Sequence, residues 1–547
     1  MGRKEKIATL ALLGVALISL LWSLKNFYYN HTTPASDWGG EYTEGIRGQP
    51  LYINPLLAYQ EPDLSLTKLV FSGLYKYDNG GLLPDLADGL PQISADQKQY
   101  TVNLKRNVKW HNGKPFNADD VIFTIQTLKD PNYKSPLKNQ WLSTTVEKLS
   151  DFQVKFTTKD ISSPFIYNLA LSIIPRSSWS KVEPQNFQLT ELNLKEAVGN
   201  GPYFIKKITK LKSGKIQAIT FESFSNYYAG KPKIDNVTVK FYETNEDILN
   251  AFRSKEIQGF GYSTFNNGFE LDINKDNAQI LTALLPQYQV VFFNLRNKIL
   301  AEQNVRTALT MAIDKQAIIQ KIFKTYASLP YSPFLASFGE KSLLDKPKTD
   351  LSEAQRILDA AGWTVDSKTN LRTKKDQTLQ LHLVTNDSAF NSQAAEDLVK
   401  QWQALNIKIN TTVLPTKQLT DEVIRPRNFD ILLFPQKFGA DPDPFVFWHS
   451  SQTKDPGLNL TGFENDLADK LITEARTTTN IGVKKAKYQQ LNDLLLEKIP
   501  AVFLDQAQYF YILSKEIKNV EISPLYEPYQ RFYNLPNWYI KERRVWK

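Results

Sequence analysis

Cysteine is absent from all 547 residues, and only four histidines occur: His31, His111, His382 and His449. Without cysteine the chain has no disulfide, thiolate nucleophile, iron–sulfur cluster or cysteine-based zinc site, and it lacks the lipid-modifiable cysteine that anchors many exported bacterial proteins. No two histidines lie within one helical turn of each other, which excludes HExxH and every other local pair of histidine ligands. We therefore expect neither a metal site nor a cofactor.

Catalytic and nucleotide-binding motifs are missing as well. The chain has no G-x-S-x-G elbow and no G-x-x-x-x-G-K-[ST] loop, and the run GNGPYF from Gly199 to Phe204 fails the dinucleotide fingerprint at its third glycine. The formal charge of +9, from 66 Lys and Arg against 57 Asp and Glu, is spread along the chain rather than concentrated in arms. Nucleic-acid binding is therefore not supported.

What is present is an ordinary globular composition with many aromatic residues. Hydrophobic residues make up 42%, and there are 10 Trp, 25 Tyr and 31 Phe, most of which must fill hydrophobic cores. At about 150 residues per domain, the length suggests three or four folding units. Aromatic residues left over from the cores would suit a cleft for peptide side chains or sugar rings, and composition does not choose between these ligands.

The N-terminal segment predicts a membrane anchor. Arg3, Lys4 and Lys6 precede an uncharged stretch from Ile7 to Leu24, which would span about 27 Å as a helix. The basic residues before it place the N-terminus in the cytoplasm and the rest of the chain outside. No small-x-small cleavage site follows closely, so we expect an uncleaved single-pass helix with a short polar tether behind it.

The remaining chain alternates between strand and helix patterns. Apolar residues alternate from Tyr100 to Leu104, and the Asn112-Gly113 dipeptide tolerates the positive φ angles that a type I′ hairpin turn requires. Asn117 is a good N-cap for a helix. Asp119 and Asp120, in the first turn of that helix, are better explained by capping than by catalysis. A helical stripe runs from 305 to 322, and another helix is predicted from 350 to 361. This alternation predicts α/β lobes.

Several sequence blocks, in collinear order, resemble one family. The stretch YTVNLKRNVKWHNGKPFNADDV at 100–121 resembles the signature of extracellular solute-binding proteins of the oligopeptide and dipeptide class, family 5, which serve ATP-driven (ABC) importers. The other similar blocks are FSGL at 71–74, VGNGPY at 198–203, the helix VRTALTMAID at 305–314, and GADPDP at 439–444. The resemblance runs from about Gly40 to Phe503, which is nearly the whole region beyond the anchor.

The resemblance implies a two-lobed periplasmic-binding-protein-like α/β fold of class II, dipeptide-binding type, with an inserted subdomain. By analogy, residues 1–38 form the cytoplasmic stub, transmembrane anchor and tether. Lobe I comprises 39–65, 197–289 and 507–547, the inserted subdomain comprises 66–196, and lobe II comprises 290–506. The chain would pass between the lobes more than once, and a ligand would be enclosed between them.

The resemblance also implies ligand-binding residues. The family uses an acidic residue of an A-D-Y-x-D-P stretch to receive the α-ammonium of a peptide, and the matching position is Asp441. The block here is one residue shorter, so Asp443 is a rival, and use of both aspartates in a turn beside prolines is a third possibility. Phe438 matches a position often held by a tryptophan that walls the pocket. Ser72, Gly73 and Leu74 match the segment that supplies backbone contacts to an extended ligand.

The function implied is a membrane-anchored extracellular receptor that captures peptides and presents them to the permease subunits of an ABC importer. Such a protein is not an enzyme, and we expect a monomer with its binding domain outside the cell membrane. Two alternatives remain open at this point: the same fold binding an oligosaccharide or a metal chelate, and a surface carbohydrate-active enzyme that uses Asp441 and Asp443 as its acids.

Overall fold

The computed structural model describes residues 2–78, 81–162, 164–263, 273, 276–323, 330, 332, 334, 349–439, 441–478, 480–522 and 525–547. The α-helices are α1 (Arg3–His31), α2 (Glu61–Val70), α3 (Ala118–Lys129), α4 (Phe165–Asn168), α5 (Arg176–Trp179), α6 (Asn245–Arg253), α7 (Lys298–Ala301), α8 (Gln303–Met311), α9 (Lys315–Phe323), α10 (Leu351–Ala360), α11 (Ala389–Gln403), α12 (Thr416–Leu419), α13 (Phe445–Trp448), α14 (Asp466–Arg476) and α15 (Ile481–Lys498).

The strands are β1 (Thr32–Ser36), β2 (Glu41–Arg47), β3 (Tyr75–Asp78), β4 (Gly81–Pro84), β5 (Gln92–Ile93), β6 (Gln99–Asn103), β7 (Thr144–Ser150), β8 (Gln153–Thr158), β9 (Tyr203–Lys210), β10 (Ile216–Ser223), β11 (Asn236–Tyr242), β12 (Gly259–Ser263), β13 (Ala278–Phe293), β14 (Thr364–Val365), β15 (Arg372–Lys374), β16 (Gln377–Thr378), β17 (Gln380–Asn386), β18 (Lys408–Leu414), β19 (Ile431–Lys437), β20 (Ala501–Ser514) and β21 (Glu542–Trp546).

A ten-stranded mixed sheet runs through the molecule in the order β18-β17-β19-β13-β20-β12-β2-β11-β10-β9. Strands β13 and β20 are its longest, with 16 and 14 residues. They pair antiparallel, and their register shifts between Leu284 and Tyr288. Before this shift the sheet continues through β12, and after it β13 pairs with β19. The two long strands therefore belong to both halves of the molecule. The first half contains the sheet from β12 to β9, and the second half contains β19, β17 and β18.

One hydrophobic core serves the first half. It contains Tyr42 of β2 and Trp538 near the C-terminus, together with Val102 and Trp110 from the region of a four-stranded antiparallel sheet, β5-β6-β8-β7. This smaller sheet thus shares a continuous apolar interior with the first half of the large sheet. Burial of this surface is the main favourable term that holds the two sheets together.

The second half has a core on each face of its sheet. Side chains on successive strand residues point to opposite faces. Val291 and Leu433 accordingly belong to one core, whereas their neighbours Val290 and Leu432 belong to the other. A sheet covered on both faces explains why these strands read as continuous apolar runs.

The predicted local elements are largely present. Strand β6 covers the predicted alternation, and α3 begins after Asn117, whose side chain forms a capping box with Asp120. The type I′ prediction is wrong, because Gly113 has a positive φ of 80° and Asn112 does not. The stripe at 305–322 is split between α8 and α9, since the Asp314 carboxylate accepts from Ala317 N at 2.9 Å and so begins a new helix.

Helix α1 is long and apolar enough to cross a membrane over Leu12–His31, and this part of it is not buried in the protein. Strand β1 follows directly and pairs antiparallel with the C-terminal strand β21. Arg544 Nη2 donates to Tyr29 O at 2.9 Å, and the ring of Trp546 lies edge-on to that of Tyr28 at 5.9 Å. The last strand of the chain is therefore tied to the end of the first helix.

A buried ion pair joins the C-terminal region to β2. Arg531 Nε lies 2.9 Å from Glu44 Oε1, and both side chains are at most 1% exposed. Tyr511 donates to the other carboxylate oxygen at 2.9 Å, and Arg531 Nη1 donates to Ser65 Oγ at 3.3 Å. These contacts connect β2, α2, β20 and the C-terminal segment.

Replacement of Arg531 tests this network. We expect Arg531→Met to lower the free energy of unfolding by about 3–5 kcal/mol, because Glu44 would stay buried without its partner charge. Denaturant titration of the detergent-solubilised protein measures the loss. The control is Arg531→Met/Glu44→Leu, which removes both charges and should lose clearly less; an equal loss would contradict the explanation.

A second prediction concerns Asp505, which lies on β20 opposite Gln289 beside the register shift and is 2% exposed. Burial raises the pKa of its carboxyl to about 7. The folded protein thus holds this proton up to a higher pH than the unfolded chain does, so the free energy of unfolding falls as pH rises from about 4 to about 7. Asp505→Asn should remove a slope of up to about 1.4 kcal/mol per pH unit in that range. Unfolding midpoints of both proteins with the same pH dependence would show that Asp505 is not responsible.

Candidate functional site

Three of the sequence-predicted site residues lie in one loop, between β19 and α13. The first of them, Phe438, is fixed by its backbone, since Phe438 N donates to Pro286 O at 2.8 Å, next to the register shift of β13. Its ring is 1% exposed and packs edge-on against Tyr288 and Phe334, with ring centroids 5.8 and 5.7 Å away. In this structure Phe438 is therefore part of a hydrophobic core, and its role as a pocket wall stays a prediction.

Asp443 is used within the protein. Its Oδ1 accepts from Phe445 N at 3.1 Å at the start of α13, and its Oδ2 lies 2.9 Å from Arg476 Nε. The guanidinium of Arg476 in turn stacks 4.1 Å from the Phe445 ring centroid. This arrangement corresponds to the turn use that the flanking prolines suggest.

Asp441 forms the more enclosed ion pair. Lys484 Nζ, on α15, lies 3.3 and 3.2 Å from its two carboxylate oxygens. The side chains of Asp441 and Lys484 are only 7% and 10% exposed. Burial raises the pKa of Asp441 to about 6, although the nearby ammonium of Lys484 favours the charged form.

Tyrosines from the first half of the molecule lie against this ion pair. Tyr77 of β3 stacks on Tyr167 of α4 with ring centroids 4.6 Å apart, and Tyr526 packs edge-on to Tyr77 at 5.6 Å. Lys484 Nζ lies 5.8 Å from the Tyr167 ring centroid. Burial and then the charge of Asp441 raise the pKa of the Tyr167 hydroxyl. The two halves of the molecule therefore meet at the Asp441–Lys484 pair.

A further ion pair crosses between the halves nearby. Lys437, the last residue of β19, lies 2.8 Å from Glu527 in the C-terminal region. The two residues are about 24–49% exposed, so solvent screens this contact more than it screens the buried pair. This more exposed ion pair lies next to Tyr526, which precedes Glu527 in the chain.

The predicted backbone segment Ser72–Leu74 lies in the first half, directly before β3, which carries Tyr77. Its carbonyls already accept hydrogen bonds from the protein: Ser72 O from Ile173 N at 3.1 Å, Gly73 O from Leu86 N at 3.0 Å, and Leu74 O from Ala87 N at 2.9 Å. A Cβ on Gly73 would lie 2.6 Å from Ala170 O. Close packing therefore requires glycine at position 73. Hydrogen bonding of these three carbonyls to an extended ligand stays a prediction.

Sequence reasoning missed the residues that surround Asp441. Lys484 is one of several lysines on α15 and has no local feature that distinguishes it. Tyr77, Tyr167 and Tyr526 were covered only by the general expectation that surplus aromatic residues line a cleft. In the part of the chain that the structure describes, no group of three or more His, Asp or Glu side chains is arranged to hold a metal ion.

Comparison with known proteins agrees with the motifs. Residues 81–457 match the family model of bacterial extracellular solute-binding proteins, family 5 (middle). The oligopeptide-binding protein AppA of Bacillus subtilis is 26% identical over 517 residues, which cover 92% of each chain. The dipeptide-binding protein of Pseudomonas aeruginosa is 24% identical over 526 residues, covering 90% of this chain and 93% of the relative.

Solved structures share the fold. B. subtilis AppA in complex with a nonapeptide superposes with a TM-score of 0.70 at 24% identity, covering 93% of this chain and 100% of the other. NikZ of Campylobacter jejuni in complex with Ni(L-His) has a TM-score of 0.70 at 25% identity, covering 91% and 99%. The predicted periplasmic-binding-protein-like α/β fold and the family resemblance are thereby confirmed. The chain belongs to the bacterial extracellular solute-binding proteins of family 5.

Proposed function

We propose that this protein captures peptides between its two halves and delivers them to the permease subunits of an ABC importer. The observation that carries the proposal is the enclosed Asp441–Lys484 pair beneath tyrosines of the opposite half, in a chain whose relatives include oligopeptide- and dipeptide-binding proteins. Polar groups surrounded by aromatic faces suit peptide units and their side chains. No bond is made or broken in this function, so the protein is not an enzyme.

The proposed lobes follow the predicted boundaries. Lobe I comprises 39–65, 197–289 and 507–547, lobe II comprises 290–506, and the subdomain 66–196 is inserted into lobe I. The register shift of β13 and β20 at 284–288 supports a hinge close to the predicted crossings, because a bulge interrupts the ladder and bends the strands. Opening about this hinge would move Tyr77 and Tyr167 away from Asp441 and admit a ligand.

We assign the ligand contacts first to Asp441 and Lys484, with the tyrosines as the opposite wall. Asp443 is assigned to holding the loop in shape through Phe445 N and Arg476. Phe438 is assigned to fixing the start of the same loop through the hydrogen bond from its backbone N to Pro286 O. Ser72, Gly73 and Leu74 would position β3 and its Tyr77, and their contact with the ligand backbone requires a rearrangement of the hydrogen bonds described above.

We also propose that α1 stays on the mature protein as a single-pass anchor, with the binding domain outside the cell membrane and the protein monomeric. The pairing of β1 with β21 supports retention, since Arg544 and Trp546 contact the last turn of α1. Cleavage after Tyr28 would remove part of these contacts.

Mapping of the N-terminus tests the anchor. We expect mass spectrometry of the protein from membrane fractions to recover peptides from the segment Arg3 to Leu24. As a control, a variant lacking residues 1–31 should appear in the soluble fraction. A mature N-terminus after Tyr28 would show that α1 is a signal peptide.

Binding of peptides tests the function. A peptide present at about 100 times its dissociation constant should raise the free energy of unfolding by about 2.7 kcal/mol and should be recovered intact. Nickel–histidine, haem and oligosaccharides are tested in parallel, because related proteins include one solved with Ni(L-His) and one named heme-binding protein A. Stabilisation by one of these alone would replace peptides as the ligand class, and turnover of any compound would indicate an enzyme.

The two aspartates provide matched variants. We expect Asp441→Asn to weaken peptide binding by about 2–5 kcal/mol, because it removes the charged acceptor that we assign to the ligand. Asp443→Asn should act mainly on stability, since Asp443 accepts from Phe445 N at the start of α13 and contacts Arg476. Isothermal titration calorimetry measures both, and the opposite ranking would assign the ligand contact to Asp443.

A further inference from the structure

The charged side chains of the loop after β19 already balance one another. Lys484 Nζ lies within 3.3 Å of both oxygens of Asp441, and Arg476 Nε lies 2.9 Å from Asp443. Two carboxylates and two cations give these four side chains a net charge of zero. The arrangement differs from that of an isolated carboxylate that needs a ligand cation for neutrality.

The aromatic faces around the pair are occupied by the same cation. Lys484 Nζ lies 5.8 Å from the ring centroid of Tyr167 and 5.6 Å from that of Tyr488. Both distances are within the range in which a ring face attracts a cation. Lys484 therefore combines a carboxylate contact with two ring contacts, which together are the features that recognise an ammonium group.

A ligand ammonium that approached Asp441 would meet a second ammonium beside the same carboxylate. The pair is at most 10% exposed, so water screens little of the repulsion between two cations there. An uncharged amide brings no such repulsion. Its N–H can donate to the Asp441 carboxylate, and its carbonyl can accept from Lys484.

We infer that Lys484 takes the place of a ligand's α-ammonium, and that the cleft therefore selects peptides whose amino end is uncharged, such as N-acylated or amino-terminally cyclised peptides. This inference rests on the proposed function, because it specifies which peptides the same site accepts. It predicts a preference opposite to that of a site built around an unpaired carboxylate.

The test compares two forms of one random-sequence pool of short peptides, with free or N-acetylated amino ends. Full-length protein in detergent is incubated with both forms, and mass spectrometry identifies the peptides that stay bound. Matched pairs of the retained sequences are then titrated calorimetrically. We expect the wild type to bind the acetylated form more tightly by about tenfold or more.

Variants at Lys484 test the cause of the preference. Lys484→Met should reverse it, because Asp441 then needs a cation from the ligand. Lys484→Met/Asp441→Asn should keep the preference for acetylated peptides, since no carboxylate remains to offset a buried ammonium. Lys485→Met is the matched control: it removes a lysine from the next position, about 100° further around the helix, and should behave as the wild type.

The outcomes separate the two proposals. Tighter binding of free-amine peptides by the wild type would overturn this inference and leave peptide capture intact. An unchanged preference in a folded Lys484→Met variant would also overturn it. If Lys484→Met does not fold, the wild-type ratio decides alone. Failure of every peptide form to bind any of the proteins would overturn peptide capture, and this inference with it.

Discussion

The structure depends on two long strands that belong to both halves at once. Strands β13 and β20 pair with β12 and its neighbours on one side of their register shift and with β19 on the other. The backbone hydrogen bonds of the pair keep the halves joined, while the interruption at 284–288 leaves a place where the strands can bend. Phe438 N donates to Pro286 O at this place, so the loop that carries Asp441 is attached directly to the interruption between the two strands.

The contact between the halves combines one buried ion pair with a wall of tyrosines. An ion pair buried without hydrogen-bonding neighbours is costly to desolvate. Aromatic faces without a polar group do not orient a ligand. Asp441 and Lys484 come from the second half, whereas Tyr77, Tyr167 and Tyr526 come from the first. Movement of one half against the other would therefore change how far the pair is exposed to water.

The shortened GADPDP block has a structural consequence for the loop. Its second aspartate, Asp443, accepts from Phe445 N and contacts Arg476, which leaves Asp441 as the aspartate that faces the other half. The tyrosine of the family's A-D-Y-x-D-P stretch is missing from this loop, and the tyrosines near Asp441 are supplied by distant segments instead. The aromatic side chains beside Asp441 thus come from other parts of the chain where the local motif has changed.

The sequence by itself determined most of the local elements and the family. Asn117 begins α3 because an N-cap acts within one turn, the alternation at Tyr100 predicts β6 because it reflects one strand's own two faces, and the collinear motifs identify the family. Only the tertiary structure decided that Asp441 meets Lys484, 43 residues away, and that the carbonyls of Ser72–Leu74 bond to the protein. The physical reason is that capping and periodicity involve neighbours along the chain, whereas these contacts depend on how a loop, a helix and a second half pack together.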